Sequence, residues 1–114
     1  MPLLQPFLSP RLMQTISRIW MPLGRRVAII GADLVAVELA EFLARRRRKV
    51  YLFESAGKII PEVGKKRRQE HMDQLDQLGV VVNTGVLIKR VDEKTVTIEV
   101  AGKMRKSFFD SVIV

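Results

Sequence analysis

The chain contains no cysteine and only one histidine, His71. Without a thiol it cannot supply a disulfide, a redox-active dithiol or a thiolate metal ligand. His71 has no second metal ligand at a suitable spacing, so we predict no metal site. The apolar runs are also far shorter than the roughly 18 residues that a membrane-spanning helix needs. These absences exclude thiol chemistry by this chain and argue against metal catalysis and a membrane-spanning helix.

The size and charge of the chain restrict its function further. At 114 residues it has the length of one domain. A total of 20 Lys and Arg against 12 Asp and Glu gives a net charge of +8, concentrated at residues 45–49 and 65–68. The first run falls where a helix should end, a favourable place for cations. The second opposes a helix dipole and suggests a phosphate or partner contact, although solvated surface charge explains both runs more simply. Nucleic-acid binding is not favoured, because no aromatic residues are interleaved with these charges.

Residues 26–54 have the order strand, turn, helix, strand. Residues 27–30 are continuously apolar, as in a parallel strand covered on both faces. Gly31 permits a sharp turn, and the apolar residues from Leu34 onward recur with helical spacing. A second apolar run follows and ends at Glu54. In this layout a helix N-terminus binds a dinucleotide pyrophosphate, and an acid about 20 residues further on binds the ribose.

The glycine pattern of such a turn is incomplete in this chain. A Gly-x-Gly-x-x-Gly/Ala pattern starting at Gly31 is satisfied there and at Ala36, but Asp33 occupies the middle place. Glycine in that place lets the backbone approach the pyrophosphate closely. Asp33 adds bulk and a negative charge, yet aspartate is also a favourable helix N-cap. Two interpretations therefore stay open: a tolerated cap, or a site that has lost its ligand.

The rest of the chain predicts the remaining elements of an α/β domain. We expect a helix over residues 65–78, a short strand over 80–82 and a turn over 83–85. Antiparallel strands follow over 86–91, 95–100 and 103–109, and a final parallel strand over 111–114. The predicted fold is a Rossmann-like three-layer domain with a parallel sheet and a β-meander of three antiparallel strands.

We divide the chain into an N-terminal extension, residues 1–24, and this domain, residues 25–114. Ser9 and Pro10 can start a short amphipathic helix in the extension. Because the extension contains arginines but no acidic residue, an organelle transit peptide is an alternative, and a helix lying on a membrane surface is another. We expect a cytoplasmic location, or an organellar one if the extension is a transit peptide.

Residues 25–114 contain the stretches VAIIGADLVAVELAEFLA, KVYLFE, IIPEVGKKRRQEHMDQLDQLGVVVNTGV and DSVIV. Through these stretches they resemble the NAD(P)H-binding domain of flavin-dependent pyridine nucleotide oxidoreductases. Within that family they look most similar to the module attached to barrel domains in the 2,4-dienoyl-CoA reductase and trimethylamine dehydrogenase group. The family usually has glycine at the places of Ala32, Asp33, Ala36 and Arg47.

The resemblance implies an NADH-binding domain that presents the nicotinamide to FAD or FMN carried by another domain or subunit. No residue of this chain would then be catalytic. Glu54 would accept both ribose hydroxyls and repel a 2′-phosphate, which favours NAD(H) over NADP(H). Glu38 matches a family glutamate near the nicotinamide and flavin, although it could equally be a solvated helix residue. The predicted cofactor-binding residues are Gly31, Ala32, Asp33, Leu34, Val35, Glu38, Glu54 and Ser55.

Two functions of other classes compete with this one. The first is a non-catalytic Rossmann remnant that serves protein assembly, for which Asp33 is the main argument. The second is a basic binder of nucleic acid or of an anionic surface. A homo-oligomer is compatible with any of the three, and membrane binding is not favoured.

Overall fold

The computed structural model describes residues 24–114, so the predicted helix of the extension lies outside the described residues. The order of helices and strands confirms the predicted Rossmann-like α/β fold. The boundary between extension and domain stays a prediction. The elements are β1 (Arg26–Ile30), α1 (Leu34–Arg45), β2 (Lys49–Glu54), α2 (Lys65–Gln77), β3 (Val81–Thr84), β4 (Leu87–Val91), β5 (Thr95–Val100), β6 (Lys103–Phe108) and β7 (Ser111–Ile113).

The parallel sheet has the strand order β3-β2-β1-β7. β1 lies in its interior, and Val27, Ala28 and Ile29 are at most 2% exposed. Such burial explains why this strand is apolar without alternation. The register pairs Ile30 with Phe53. The carboxyl ends of β1 and β2 therefore meet at one edge of the sheet.

The predicted end of the third strand was wrong by two residues. Asn83 and Thr84, assigned to a turn from their composition, continue β3 and pair with Phe53 and Glu54. The amide of the Asn83 side chain also donates to the Leu52 carbonyl at 3.3 Å. Pairing with β2 thus overrides the turn preference of Asn and Thr.

Two apolar cores give the domain its three layers. Alternate residues of β1 and β2 face the two helices or the second sheet, which has the order β4-β5-β6. The helix-side core includes Val27, Ile29, Val50 and Leu52 together with Val37, Ala40, Leu43 and Leu75. The core between the sheets is formed by Ala28, Phe53, Val86, Val96, Ile98 and Phe109.

The two helices also share a polar contact. Glu41 of α1, only 8% exposed, lies with its Oε2 atom 2.8 Å from Nδ1 of His71 on α2. The histidine thus gives this nearly buried carboxylate a hydrogen-bond partner, which offsets the cost of burying it. Within residues 24–114, neither helix is long and apolar enough to cross a membrane.

The arginine-rich run after α1 closes the helix with a two-bond cap. The Arg48 amide donates to the Leu43 carbonyl and the Arg47 amide to the Ala44 carbonyl, both at 3.1 Å. This is the bond pattern of a Schellman motif, which requires a left-handed residue. Arg47 adopts that conformation with φ of +65°. A left-handed residue therefore occupies a place where the family usually has glycine.

We predict that Arg47→Gly raises the free energy of unfolding by about 1 kcal/mol, because glycine adopts the left-handed region without the steric penalty of a Cβ atom. Urea unfolding of both proteins measures the difference. Arg46→Gly is the matched control. Arg46 has φ of −97° and stacks on Phe42, so its replacement should give no gain. Equal stabilisation by both variants would refute the explanation.

Asp110 joins the start of β7 to the start of β1. Its Oδ2 atom accepts the Arg26 amide at 2.7 Å and the Arg25 amide at 2.8 Å. These hydrogen bonds, that of Arg26 first, hold the pKa of Asp110 below its ordinary value of 3.8. The carboxylate form is therefore the one that stabilises this strand junction.

Because the pKa of Asp110 is lower in the folded state than in the unfolded state, its ionised carboxylate stabilises the fold. This stabilisation is fully present above the unfolded-state pKa and is lost as the pH falls through the folded-state pKa. We expect Asp110→Asn to lower the free energy of unfolding at neutral pH. The difference from wild type should shrink as the pH falls below 3.8. Chemical unfolding across the acid range measures this, with Glu93→Gln in the β4–β5 turn as the control. A pH-independent difference would contradict the role of the charge.

Candidate functional site

The candidate site lies at the edge where β1 and β2 end. Gly31 follows β1 with φ of +112°, a conformation that favours glycine. Its amide donates to the Phe53 carbonyl at 2.7 Å, which extends the contact between the strands by one residue. A Cβ atom on Gly31 would meet no atom within 4 Å, so the need for glycine is conformational.

Glu54 is fixed across this turn by backbone amides. Its Oε1 atom accepts the Ala32 amide and its Oε2 atom accepts the Ala56 amide, each at 2.9 Å. The Ser55 hydroxyl makes a long contact of 3.5 Å to the same Oε2 atom. The Oε1 atom accepts one amide and keeps a second lone pair, so Glu54 can still accept a hydroxyl group from a ligand. The structure thus brings Ala32, Glu54 and Ser55 together as the sequence predicts.

Asp33 is the N-cap of α1. Its Oδ1 atom accepts the Ala36 amide at 2.8 Å, and its carbonyl accepts the Val37 amide at 3.0 Å. The backbone is extended, with φ of −74°, so a non-glycine residue at this place causes no conformational strain. Of the two interpretations of Asp33, the structure gives direct evidence for the cap. The effect of its carboxylate on a ligand stays a prediction.

The remaining predicted residues belong to α1. Leu34 and Val35 are the first two helical residues, where amides lack intrahelical acceptors and can bind an anion. Glu38 is half-buried and lies one helical turn after Leu34, on the same side of the helix. The eight predicted residues therefore lie in the turn after β1, in the first two turns of α1 and at or just after the end of β2. Their role in binding a cofactor stays a prediction.

One carboxylate at this turn was missed by the sequence analysis. Glu62, in the loop between β2 and α2, accepts the Leu34 amide on its Oε2 atom at 3.0 Å. The loop begins at the carboxyl end of β2, beside the turn. This starting point is the only sequence signal that it could return to the turn. The distance of 28 residues along the chain hides the contact.

The same loop explains one of the unassigned basic residues. The Arg68 side chain donates to the carbonyls of Ile59 and Val63, each at 2.9 Å. Arg68 therefore holds the loop. A phosphate or partner contact of residues 65–68 stays a prediction. The three preceding residues, Lys65, Lys66 and Arg67, are exposed.

A comparison of the sequence with known protein families agrees with the geometry of the turn. Residues 26–106 match the sequence profile of the family described as pyridine nucleotide-disulphide oxidoreductase. The chain belongs to this family. The match covers β1 through most of β6, and so it includes the glycine turn, Glu54 and the loop with Glu62. Among curated proteins, no sequence matches the chain.

Several solved structures share the fold. A 2-naphthoyl-CoA reductase in complex with 2-naphthoyl-CoA is 24% identical, with a TM-score of 0.78 over 90% of this chain and 15% of its own. Histamine dehydrogenase from Rhizobium sp. 4-9 is 18% identical, with a TM-score of 0.74 over 90% of this chain and 17% of its own. NDH2 from Plasmodium falciparum in complex with NADH is 13% identical, with a TM-score of 0.69 over 90% and 25%. The chain thus spans a quarter or less of the length of these proteins.

We predict that Asp33→Ala lowers the free energy of unfolding by about 1 kcal/mol, because the Ala36 amide loses its cap. Asp33→Asn should retain most of the stability, since the asparagine side-chain oxygen can accept the same amide. Thermal or urea unfolding compares the three proteins. Equal stability of wild type and Asp33→Ala would show that the cap contributes nothing in solution.

Proposed function

We propose that the domain binds NADH and presents its nicotinamide to FAD or FMN carried by another domain or subunit. The observation that carries the proposal is Glu54, held by the Ala32 amide directly beside the glycine turn. A helix N-terminus and a ribose-binding acid then lie at one edge of a parallel sheet, the usual position of a dinucleotide. Family membership supports the same function, as does the NADH complex of the structurally similar NDH2.

The residues present fit the two halves of the ligand. Amides at the start of α1 would bind the pyrophosphate, and the contact of Leu34 with Glu62 supports this because a carboxylate stands there as an oxyanion. Glu54 would accept the ribose hydroxyls, and its negative charge favours NAD(H) over NADP(H). Bound NADH supplies a hydride that a flavin can accept. The task of this chain is to hold and orient the dinucleotide, with no acid, base or nucleophile of its own.

We place the domain with the 2,4-dienoyl-CoA reductase and trimethylamine dehydrogenase group of the family. The matching stretches between residues 25 and 114 support this grouping. By their names, two structurally similar enzymes act on a CoA thioester and on an amine. Under this proposal the flavin and the final electron acceptor belong to other parts of the enzyme.

A non-catalytic assembly domain is the second candidate. Three carboxylates, those of Asp33, Glu54 and Glu62, bond to amides around the same turn. Their combined negative charge opposes a pyrophosphate. This electrostatic cost is the specific observation in favour of a domain that has lost its ligand.

Titration with NADH and NADPH tests the proposal. We expect NADH to bind with a Kd below about 1 mM and NADPH to bind more weakly, because Glu54 repels the 2′-phosphate. Glu54→Gln should weaken NADH binding and narrow the difference between the two cofactors. Glu93→Gln, which removes the same charge far along the chain, is the control.

Circular dichroism of each variant checks that the fold is intact. Asp33→Gly serves as a second protein in the titration, since it removes the carboxylate from the family's glycine place. If neither wild type nor Asp33→Gly binds NADH at millimolar concentration, the assembly function replaces the cofactor function.

A further inference from the structure

The contact between Glu62 and α1 has a functional consequence if the proposed cofactor site is correct. The Leu34 amide is the first of the helix, and the pyrophosphate would bind at these first amides. In the structure the Oε2 atom of Glu62 lies 3.0 Å from the Leu34 nitrogen. An amide has one hydrogen, so it cannot make a full hydrogen bond to this carboxylate and to a phosphate together.

The loop that carries Glu62 is held in place on both sides. We call residues 59–63 the strap. The Ile60 amide donates to the Ala32 carbonyl at 2.7 Å, and Arg68 binds the carbonyls at the two ends of the strap. Ile59 and Ile60 are at most 1% exposed. The strap therefore returns to the glycine turn as a fixed part of the fold.

The backbone of the strap shows how strongly it is fixed. Ile60 has φ of +43°, an uncommon conformation for a β-branched residue. Such a conformation persists only where surrounding contacts determine it, here the burial of Ile60 and its bond to Ala32. Glu62 follows two residues later and is exposed. Its side chain can thus leave Leu34 without any change in the core.

We infer that Glu62 is an internal competitor of the cofactor and sets the affinity of the site. Its carboxylate takes the place of a phosphate oxygen at the Leu34 amide. The side chain must swing away before a pyrophosphate can bind there. Removing it also removes one of the three negative charges around the turn. The inference rests on the proposed function, because it concerns the same site.

Glu62→Ala tests the inference, with Glu70→Ala on the exposed surface of α2 as a control of equal charge. We expect Glu62→Ala to bind NADH roughly three- to tenfold more tightly than wild type, the size of one charge-assisted contact at an exposed helix N-terminus. Glu70→Ala should bind as wild type does. Inorganic pyrophosphate, titrated in parallel, tests the amides without the ribose.

A second measurement needs no ligand. In amide NMR spectra, Glu62→Ala should shift the Leu34 resonance and speed its hydrogen exchange, because the amide loses its acceptor. Glu70→Ala should leave the Leu34 resonance unchanged. Thermal unfolding of both variants checks that the fold is intact. An unshifted Leu34 resonance would show that the contact is absent in solution and would overturn the inference.

The outcomes separate the two proposals. If wild type and Glu62→Ala bind NADH equally, Glu62 does not compete and only the inference fails. Weaker binding by Glu62→Ala would make Glu62 a cofactor contact, which also overturns competition. If wild type and Asp33→Gly both fail to bind NADH at millimolar concentration, the proposed function fails. If Glu62→Ala then also fails to bind NADH and pyrophosphate, the inference fails with it.

Discussion

The parallel register of β1 and β2 is the constraint on which the rest of the domain depends. It aligns the ends of the two strands, and the bond from the Gly31 amide to the Phe53 carbonyl continues it into the turn. One residue further, the Ala32 amide meets Glu54. A shift of one residue would turn each apolar side chain toward the other core. The same register therefore secures both cores and brings the start of α1 to the acid that ends β2.

Three carboxylates accept backbone amides around this turn. Asp33, Glu54 and Glu62 each accept an amide there, two of them at the start of α1 where the helix dipole favours negative charge. Amides that can bind an anionic ligand can equally bind side chains of the chain itself. Features that stabilise the ligand-free domain thus compete with the proposed ligand. The balance between the stability of the domain and its affinity for the proposed ligand then depends on these three side chains and on the strap, which carries Glu62.

Part of the strong basic character of the chain has a structural use at the opposite end of the sheet. The Lys49 ammonium donates to the Gly79 carbonyl at 2.7 Å. The guanidinium of Arg26 lies 4.9 Å from the centre of the Tyr51 ring and 5.0 Å from that of Phe109, within the range of a cation–π interaction. These contacts give two of the basic side chains a structural role.

The sequence by itself determined the fold class, the order of the elements and the position of Glu54, because apolar periodicity and Gly31 are local signals. The left-handed conformation of Arg47 is a feature of the folded helix end. Only the tertiary structure decided that Asn83 and Thr84 extend a strand, that Arg68 holds the strap and that Glu62 reaches Leu34. These features depend on pairing and packing between segments distant along the chain. Residue type and spacing do not reveal such contacts, because the contacts form only when the segments pack together in the folded domain.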